Sequence, residues 1–480
     1  MIYRPASLQP RRLLAFLGFA SLCLAWSIQA APAVRPNVLL ILADDCTYRD
    51  LGVYGGQAKT PHLNQLASEG MKFTRCFQAA PMCSPTRHSL YTGLYPVKSG
   101  AYPNHTMAYE WVKSIASYLQ PVGYCTHLSG KTHINPLSVF PFEYSGRSDD
   151  GNPDSAVFER VLQQSASART PFLFIAASHE PHGPWNKGDS SAYPPESLQL
   201  PPIWVDTPET REAYSRYLAE VTYFDGQVGE FVGLLSKYNQ RDNTLVIVLS
   251  EQGNSFPFAK WTCYEAGIQS GCIVRWPGRV KPASVSDALI EYVDVVPTFL
   301  EAAGLPRPEV LDGRSFLPIL AGRATTHKTH VFSLQTSRGT VNAPEYYGIR
   351  SVRNERYLYI RNFTPEITYY NGATKGGVFR SWQDRASAGD QHAGRLVSDY
   401  QHRPPEELYD CETDPWNRTN LIAVPRLAGV RDELRARLEA WMTQQGDEGQ
   451  ATEMKALERM PKRIQYKGAL VPSGSEGVEN

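Results

Sequence analysis

The chain has no excess of charge of either sign, since 48 lysine and arginine residues are balanced by 48 aspartate and glutamate residues. This balance gives no protein-wide field that would attract nucleic acid or an anionic membrane surface, so we expect neither as a partner. The sequence also lacks a Cys-x-x-Cys pair, which disfavours a structural zinc site. It contains no internal repeat and no low-complexity tract, which disfavours repeat architectures.

Beyond its N-terminus, the chain has no apolar stretch long enough to span a bilayer. Arg4, Arg11 and Arg12 precede an apolar run at residues 13–26, and small residues follow up to Ala31. This order is typical of a secretory signal peptide, which we assign to residues 1–30. We therefore expect an exported mature protein without a membrane span. It would be periplasmic or secreted in a bacterium, and lysosomal or secreted in a eukaryote.

Three apolar runs, at residues 37–43, 171–177 and 245–249, predict strands. Because their apolar residues do not alternate with polar ones, each strand should be buried on both faces, as in a parallel sheet. Residues 211–238 repeat apolar side chains at helical spacing and predict a long amphipathic helix. Strands that alternate with helices predict an α/β fold, with a large, mostly parallel sheet sandwiched by helices.

The patterning changes after about residue 325. Short alternating strands and a terminal helix are then predicted, at residues 330–334, 346–352, 357–360, 406–410 and 426–445. We therefore predict a catalytic α/β domain at residues 31–325, followed at 326–472 by a smaller α+β subdomain with an antiparallel sheet and a packed helix. Residues 473–480 are predicted to be a disordered tail.

An odd number of cysteines follows the predicted signal peptide. They are Cys46, Cys76, Cys83, Cys125, Cys263, Cys272 and Cys411. An odd count in an exported protein leaves at least one thiol unpaired or chemically special. Cys83 opens a predicted helix with Arg87 one turn further on, and a helix N-terminus attracts anions. Taken alone, the pair is far more typical of a buried structural cysteine beside a surface arginine.

Two pairs of oxygen-bearing side chains end predicted strands. Asp44 and Asp45 follow the first strand, and Glu251 and Gln252 follow the third. Adjacent carboxylates repel each other unless a hard divalent cation lies between them, and such a ligand set suits Ca²⁺ or Mg²⁺ better than zinc. Each pair alone is also what helix caps and turns contain.

Basic residues recur near the same strand ends. They are Arg87, Lys131, His133, His182 and Lys260. Singly, such side chains are usually solvated. Together they would form a cationic ring around a metal site, an arrangement that holds a tetrahedral oxyanion and stabilises charge as a bond to it breaks.

Several runs of the sequence resemble the formylglycine-dependent sulfatase family, a branch of the alkaline phosphatase superfamily. Residues 83–87 (CSPTR), followed by Thr92 and Gly93, resemble the first family signature, and residues 123–133 (GYCTHLSGKTH) resemble the second. Similar segments continue over nearly the whole mature chain, at residues 36–45, 60–67, 407–410 and 414–421. Residues 255–258, 141–142 and 349–352 are similar to heparan N-sulfatases.

The resemblance implies that a formylglycine-generating enzyme oxidises Cys83 to Cα-formylglycine (3-oxoalanine). One hydroxyl of the hydrated aldehyde would attack sulfur and displace the alcohol, and the other would then drive the release of sulfate. It also implies bound Ca²⁺, with Mg²⁺ as the alternative. The implied metal ligands are Asp44, Asp45, modified Cys83, Glu251 and Gln252.

The resemblance also assigns the cations. Arg87 and His133 would support the diol. The sulfate would be held by Lys131, His182 and Lys260, and we expect His182, ahead of the other histidine or Lys260, to protonate the leaving oxygen. One feature departs from the family, which usually has Asp followed by Asn or His where this chain has Glu251 and Gln252. Each of these side chains is one methylene longer than the usual pair.

We therefore predict a sulfuric ester hydrolase that removes sulfate from a sulfated polysaccharide or oligosaccharide. Glycosaminoglycans and algal glycans both remain open, and Trp185, Trp261 and Tyr264 are candidates to stack on a sugar ring. One alternative is a phosphonate or phosphate monoester hydrolase of the same superfamily. Another is a non-catalytic glycan-binding homologue of the sulfatases.

Overall fold

The computed structural model describes residues 1–3, 35–146, 148, 151–340 and 342–461. The predicted disordered tail and nearly all of the predicted signal peptide lie outside this part of the chain. Within the described residues, the chain from Arg35 onwards belongs to one compact unit that contains two sheets. Among the described residues, no helix combines the length and apolar character needed to cross a membrane.

Among the described residues, nine strands form the larger sheet. They are β1 (Asn37–Leu42), β2 (Met71–Phe77), β3 (Cys125–Gly130), β4 (Glu143–Tyr144), β5 (Phe172–Ala177), β6 (Thr244–Leu249), β7 (Gln269–Arg275), β8 (Ser284–Ser286) and β9 (Ile290–Glu291). Their order is β4-β3-β5-β1-β6-β7-β2-β8, with β9 also beside β2. The strands from β4 to β6 are parallel, whereas β7 is antiparallel to both of its neighbours. Every residue of β1, β5 and β6 is buried, which explains their unbroken apolar runs.

Helices cover both faces of this sheet. They are α1 (Pro61–Ser68), α2 (Cys83–Thr92), α3 (Pro96–Ser99), α4 (Ile115–Leu119), α5 (Ser155–Ala168), α6 (Pro208–Lys237), α7 (Glu265–Ile268), α8 (Val295–Ala302) and α9 (Leu317–Leu320). The long helix α6 begins earlier than predicted because Thr207 caps it, accepting a hydrogen bond from the Thr210 amide, and Pro208 takes the first helical position. The predicted α/β fold is confirmed.

The smaller sheet is antiparallel, as predicted. Its strands, in order, are β10 (Val331–Thr336), β11 (Gly348–Arg353), β12 (Tyr357–Asn362) and β13 (Glu406–Asp410). Helix α13 (Ala428–Gln445) packs on it, with Trp441 stacked on Phe332 at a ring distance of 5.0 Å, and α14 (Gln450–Met454) follows. Both sheets belong to one compact unit, so the domain boundary at residue 325 stays a prediction.

Three helices that the sequence patterning did not predict lie between β12 and β13. They are α10 (Gly372–Lys375), α11 (Gly377–Ser387) and α12 (Gln391–Gln401). Helix α11 packs against α6, where Trp382 Nε1 donates a hydrogen bond to Thr210 Oγ1 at 2.9 Å. Glycines at the starts of α10 and α11 obscure their helical pattern, since glycine is a poor helix former. These helices bring the C-terminal part of the chain to the carboxyl edge of the large sheet.

Candidate active site

Cys83 is the first residue of α2, a helix in which every residue is buried. Its side chain lies at the surface of a cavity of about 530 Å³. Gln252 Nε2 lies 3.1 Å from Cys83 Sγ, and Asp45 Oδ1 lies 3.8 Å from it. The thiol therefore faces both the cavity and the carboxylates at the end of β1.

The pairing of β1 with β6 brings the two predicted oxygen-bearing pairs together. The strands are parallel and their last residues, Leu42 and Leu249, are in register, so Asp44–Asp45 and Glu251–Gln252 leave the sheet side by side. Asp44, Asp45, Cys83 and Glu251 each place one ligand atom within 4.8 Å of the others. These four residues could hold a metal ion at the place that the strand ends predicted.

The backbone at both pairs is held in the left-handed region. Asp45 has φ 61° and Glu251 has φ 64°. Residues other than glycine rarely adopt this backbone conformation. The surrounding structure fixes it: the Asp44 amide donates to the Glu180 carbonyl at 2.9 Å, and the Glu251 amide donates to the Tyr292 hydroxyl at 2.8 Å. Strained residues held in this way are typical of functional sites.

The donor set fits a hard divalent cation. Asp44 Oδ1 and Gln252 Oε1 are buried and accept no hydrogen bond from the described residues. Burial and the nearby Asp44 carboxylate raise the pKa of Glu251 well above its usual range, although Arg87 opposes this. Burial also opposes ionisation of Asp44, but Lys131 and a hydrogen bond with Glu251 hold its pKa well below the usual range. A hard cation would bind these oxygens and relieve the repulsion between the carboxylates.

Three of the predicted cations contact these carboxylates directly. Lys131 Nζ donates to Asp44, Lys260 Nζ donates to Asp45 Oδ2 at 2.6 Å, and Arg87 Nε lies 2.8 Å from Glu251 Oε1. All three are buried. Burial lowers the pKa of each lysine, but the facing aspartate outweighs it and the pKa of both lysines is raised. The three groups are therefore charged at neutral pH.

The two predicted histidines also lie at the site. His182 Nε2 is 3.7 Å from Asp45 Oδ2, and its Nδ1 shares a hydrogen bond with the Gly183 carbonyl at 2.8 Å. Burial, followed by the Lys131 charge, lowers the pKa of His182. The cavity is lined by His133, His182, Lys260 and Cys83, whereas Arg87 and Lys131 lie behind its surface.

Three residues near the site were not singled out as site residues from the sequence. Ser255 Oγ donates to Asp45 Oδ2 at 2.7 Å. The ring of His105 meets that of His133 edge to face at 5.2 Å, and the ring of His179 lies 5.0 Å from that of His182. Ser255 lies in one of the family-like runs, and His179 lies at the end of a predicted strand. His105 is in a loop that carries no such signal.

The environment of Cys83 opposes thiolate chemistry. Burial and the Asp44 carboxylate raise the pKa of its thiol far above the ordinary value, so the sulfur is protonated at neutral pH. Reactive cysteines show the opposite shift. All seven described cysteines are free, and Cys125 alone among them is exposed. An unmodified Cys83 would thus be a poor nucleophile.

The N-terminus of α2, the candidate cation-binding oxygens and the buried cations lie together at the carboxyl edge of the large sheet. Such an arrangement suits the hydrolysis of an ester of a tetrahedral oxyanion, because it stabilises the charge that develops when the ester bond breaks.

Comparison with known proteins identifies the family. The sulfatase family matches residues 36–305, and the C-terminal region of N-sulphoglucosamine sulphohydrolase matches residues 253–371. The chain therefore belongs to the sulfatase family and is a sulfuric ester hydrolase. The resemblance described from the sequence is confirmed.

Two relatives and one solved structure illustrate the match. An ulvan-active sulfatase of Formosa agariphila is 33% identical over 87% of this chain and 82% of its own length. The human N-sulphoglucosamine sulphohydrolase is 28% identical over 86% of this chain and 91% of its own length. A protein solved in complex with its substrate D-glucosamine-2-N,6-O-disulfate shares the fold, with a TM-score of 0.64, 18% identity and coverage of 86% of this chain and 99% of that one.

Proposed function

We propose that this sulfatase removes sulfate from a sulfated carbohydrate, through a formylglycine made from Cys83 and with Ca²⁺ bound beside it. The observation that carries the proposal is the position of Cys83, which contacts Asp45 and Gln252 and faces the cavity while its thiol is held protonated. The position suits a nucleophile, but the thiol does not. The names of the two relatives, which refer to ulvan and to N-sulphoglucosamine, support a carbohydrate substrate.

The described residues fit both a divalent cation and a formylglycine at position 83. Asp44, Asp45, Glu251 and Gln252 would bind Ca²⁺ together with modified Cys83, since Ca²⁺ accepts several oxygen ligands in flexible geometry. Mg²⁺ is the alternative. The modified side chain would supply a hydroxyl nucleophile, and the metal would add positive charge beside it.

The remaining site residues bind the ester and handle protons. Lys260 and His182, which line the cavity, would hold the sulfate oxygens, and Lys131 would add its positive charge from behind the cavity surface. Arg87 and His133 would orient the modified Cys83 side chain. His182 is our candidate to protonate the leaving oxygen, because its ring lines the cavity and its Nδ1 is fixed by the Gly183 carbonyl.

Two of the three aromatic candidates are suitably placed to contact a sugar. Trp185 and Trp261 line the cavity, and Lys260 Nζ lies 4.9 Å from the centroid of the Trp261 ring. Tyr264 does not line the described cavity. It is buried, and its hydroxyl donates to Glu407 Oε2 at 2.9 Å, so we assign it to the core.

Maturation and export complete the proposal. We propose that residues 1–30 direct export and that a formylglycine-generating enzyme acts on Cys83. Both remain predictions from the sequence, and the first concerns residues that lie almost entirely outside the described part of the chain.

A comparison of two esters tests the reaction. We expect the mature protein to hydrolyse an aryl sulfate with a kcat/KM on the order of 100-fold above that for the matching aryl phosphate, the discrimination expected of a site built for one ester. The Cys83→Ala protein is the control for contaminating activity. A clear preference for the phosphate would support the phosphonate or phosphate hydrolase alternative, and turnover of neither ester would support a non-catalytic homologue.

The longer side chains of Glu251 and Gln252 can be tested against the usual family pair. Gln252 Nε2 reaches Asp45 Oδ1 at 2.6 Å and Glu251 reaches Arg87, and removing a methylene would withdraw each polar group by about 1.5 Å. We therefore expect Glu251→Asp combined with Gln252→Asn to weaken calcium binding at least tenfold, on the order of what ligand misplacement costs. Calorimetric titration measures this, and tighter binding by the variant would contradict it.

A further inference from the structure

A second pocket adjoins the active-site cavity. Residues 372–373 and 376–377 line the active-site cavity, whereas Thr374 and Lys375, which lie between them in the chain, line the second pocket. This one segment of backbone therefore borders both spaces. A ligand that fills the cavity and extends across the segment would enter the second pocket.

The second pocket has a volume of about 390 Å³ and a polar, basic lining. Its lining residues are Tyr370, Thr374, Lys375, Arg380, Gln383 and Gln401. No carboxylate belongs to this set. An aromatic face, amide and hydroxyl groups and two cations together can bind a sugar unit that bears a sulfate or carboxylate group, since arginine in particular recognises planar and tetrahedral oxyanions.

Lys375 and Arg380 form no ion pair within the part of the chain that the structure describes. Arg380 Nη2 donates to the Lys375 carbonyl at 3.2 Å, and Lys375 Nζ lies 5.5 Å from the centroid of the Tyr370 ring. Neither side chain has a carboxylate partner among the residues that the structure describes. By contrast, Arg385 on the same helix is paired with Asp390 at 3.0 Å. The positive charges of Lys375 and Arg380 are therefore available to bind an anionic ligand in the second pocket.

The charges around the active-site cavity also favour a ligand path from the cavity towards the second pocket. Helix α6 contributes Glu209, Glu212 and Arg216 to the cavity lining, and Arg216 is paired with Glu212 at 3.3 Å. The α6 wall is therefore net acidic, whereas residues 372–378 add no carboxylate to the cavity. An anionic chain that leaves the cavity is repelled at α6 and attracted across residues 372–378.

We propose that the second pocket binds a sulfate or carboxylate group on another sugar unit of the same substrate molecule. The substrate is then an anionic oligosaccharide or polysaccharide that is longer than the unit whose sulfate is removed. This proposal rests on the proposed carbohydrate sulfatase function.

The kinetic test uses the double variant Lys375→Gln/Arg380→Gln. The matched control is Lys281→Gln/Arg437→Gln, which removes the same charge from two exposed residues that line neither pocket. Substrates are ulvan and heparan sulfate oligosaccharides, from disaccharides to octasaccharides, and a small aryl sulfate. We expect KM for octasaccharides to rise about tenfold, the effect of losing two exposed charge contacts, with kcat unchanged. For disaccharides and the aryl sulfate, neither constant should change.

A binding measurement separates this proposal from the proposed function. The Cys83→Ala protein should bind octasaccharides of at least one of the two glycans more tightly than it binds disaccharides, and the double substitution should remove this difference, most clearly at low salt. The proposed role of the second pocket would be overturned if the double substitution weakened the binding of disaccharides and octasaccharides equally. It would also be overturned if the affinity did not depend on oligosaccharide length. Failure of the wild-type protein to release sulfate from any ester would instead overturn the proposed function.

Discussion

Replacing Cys83 by alanine is expected to lower kcat/KM for sulfate esters by at least about 10⁴-fold, the range seen when a nucleophile is removed. Fold and stability should change little, because alanine fits the first turn of α2 and removes one sulfur atom. Circular dichroism and thermal unfolding check the fold, and sulfate release checks the activity. Cys125→Ala is the matched control, since that cysteine is exposed and far from the carboxylates in the chain.

Mass spectrometry of the peptide that contains Cys83 tests the same proposal without an activity assay. In protein from its native host, we expect the mass that results when one oxygen replaces the sulfur and two hydrogens of the side chain. Retained activity in Cys83→Ala, or an unmodified thiol in fully active protein, would contradict the proposed nucleophile.

The second large effect is expected at Asp45. Its carboxylate contacts Lys260, Gln252 and Ser255, so Asp45→Asn would remove a proposed metal ligand and also leave the buried Lys260 charge unpaired. We expect activity to fall by about 10³-fold, with most of the loss due to weaker metal binding.

Removal of the metal provides the complementary experiment. Treatment of the wild-type protein with a chelator should abolish activity, and Ca²⁺ should restore it more fully than Mg²⁺. Ser255→Ala is the control for Asp45→Asn, because it removes one hydrogen bond to Asp45 and keeps the charge. Full activity in Asp45→Asn, or activity that resists chelation, would contradict the metal site.

The strands that lead into the site were predictable, because a strand buried on both faces of a sheet appears in the sequence as an uninterrupted apolar run. Once β1 and β6 are known to be buried strands, the polar pairs that follow them must leave the sheet at its carboxyl edge. Their pairing as neighbours is set by the order of the strands, which the patterning alone did not provide. The family resemblance supplied the expected roles of the basic residues, and the structure places these residues beside the same strand ends.

The walls of the cavity could not be predicted in the same way. His105 lies in a loop whose path depends on contacts distant in the chain, since its neighbour Thr106 donates to the Arg459 carbonyl. Helices α10 and α11 begin at glycines and are short. The packing of α11 against α6 and of α10 against α11 therefore fixes them more than local propensity does. The sequence therefore indicated the chemistry of the site better than its shape.

The cavity is built from two parts of the chain that are far apart in sequence. Every proposed catalytic and metal-binding residue precedes Trp261, whereas one wall of the cavity consists of residues 372–373 and 376–378. Exchange or redesign of the insert between β12 and β13 can therefore alter which molecules enter while the reacting groups stay untouched. In evolutionary terms, substitutions in this insert can change the substrate selectivity of the chain while its catalytic residues stay the same.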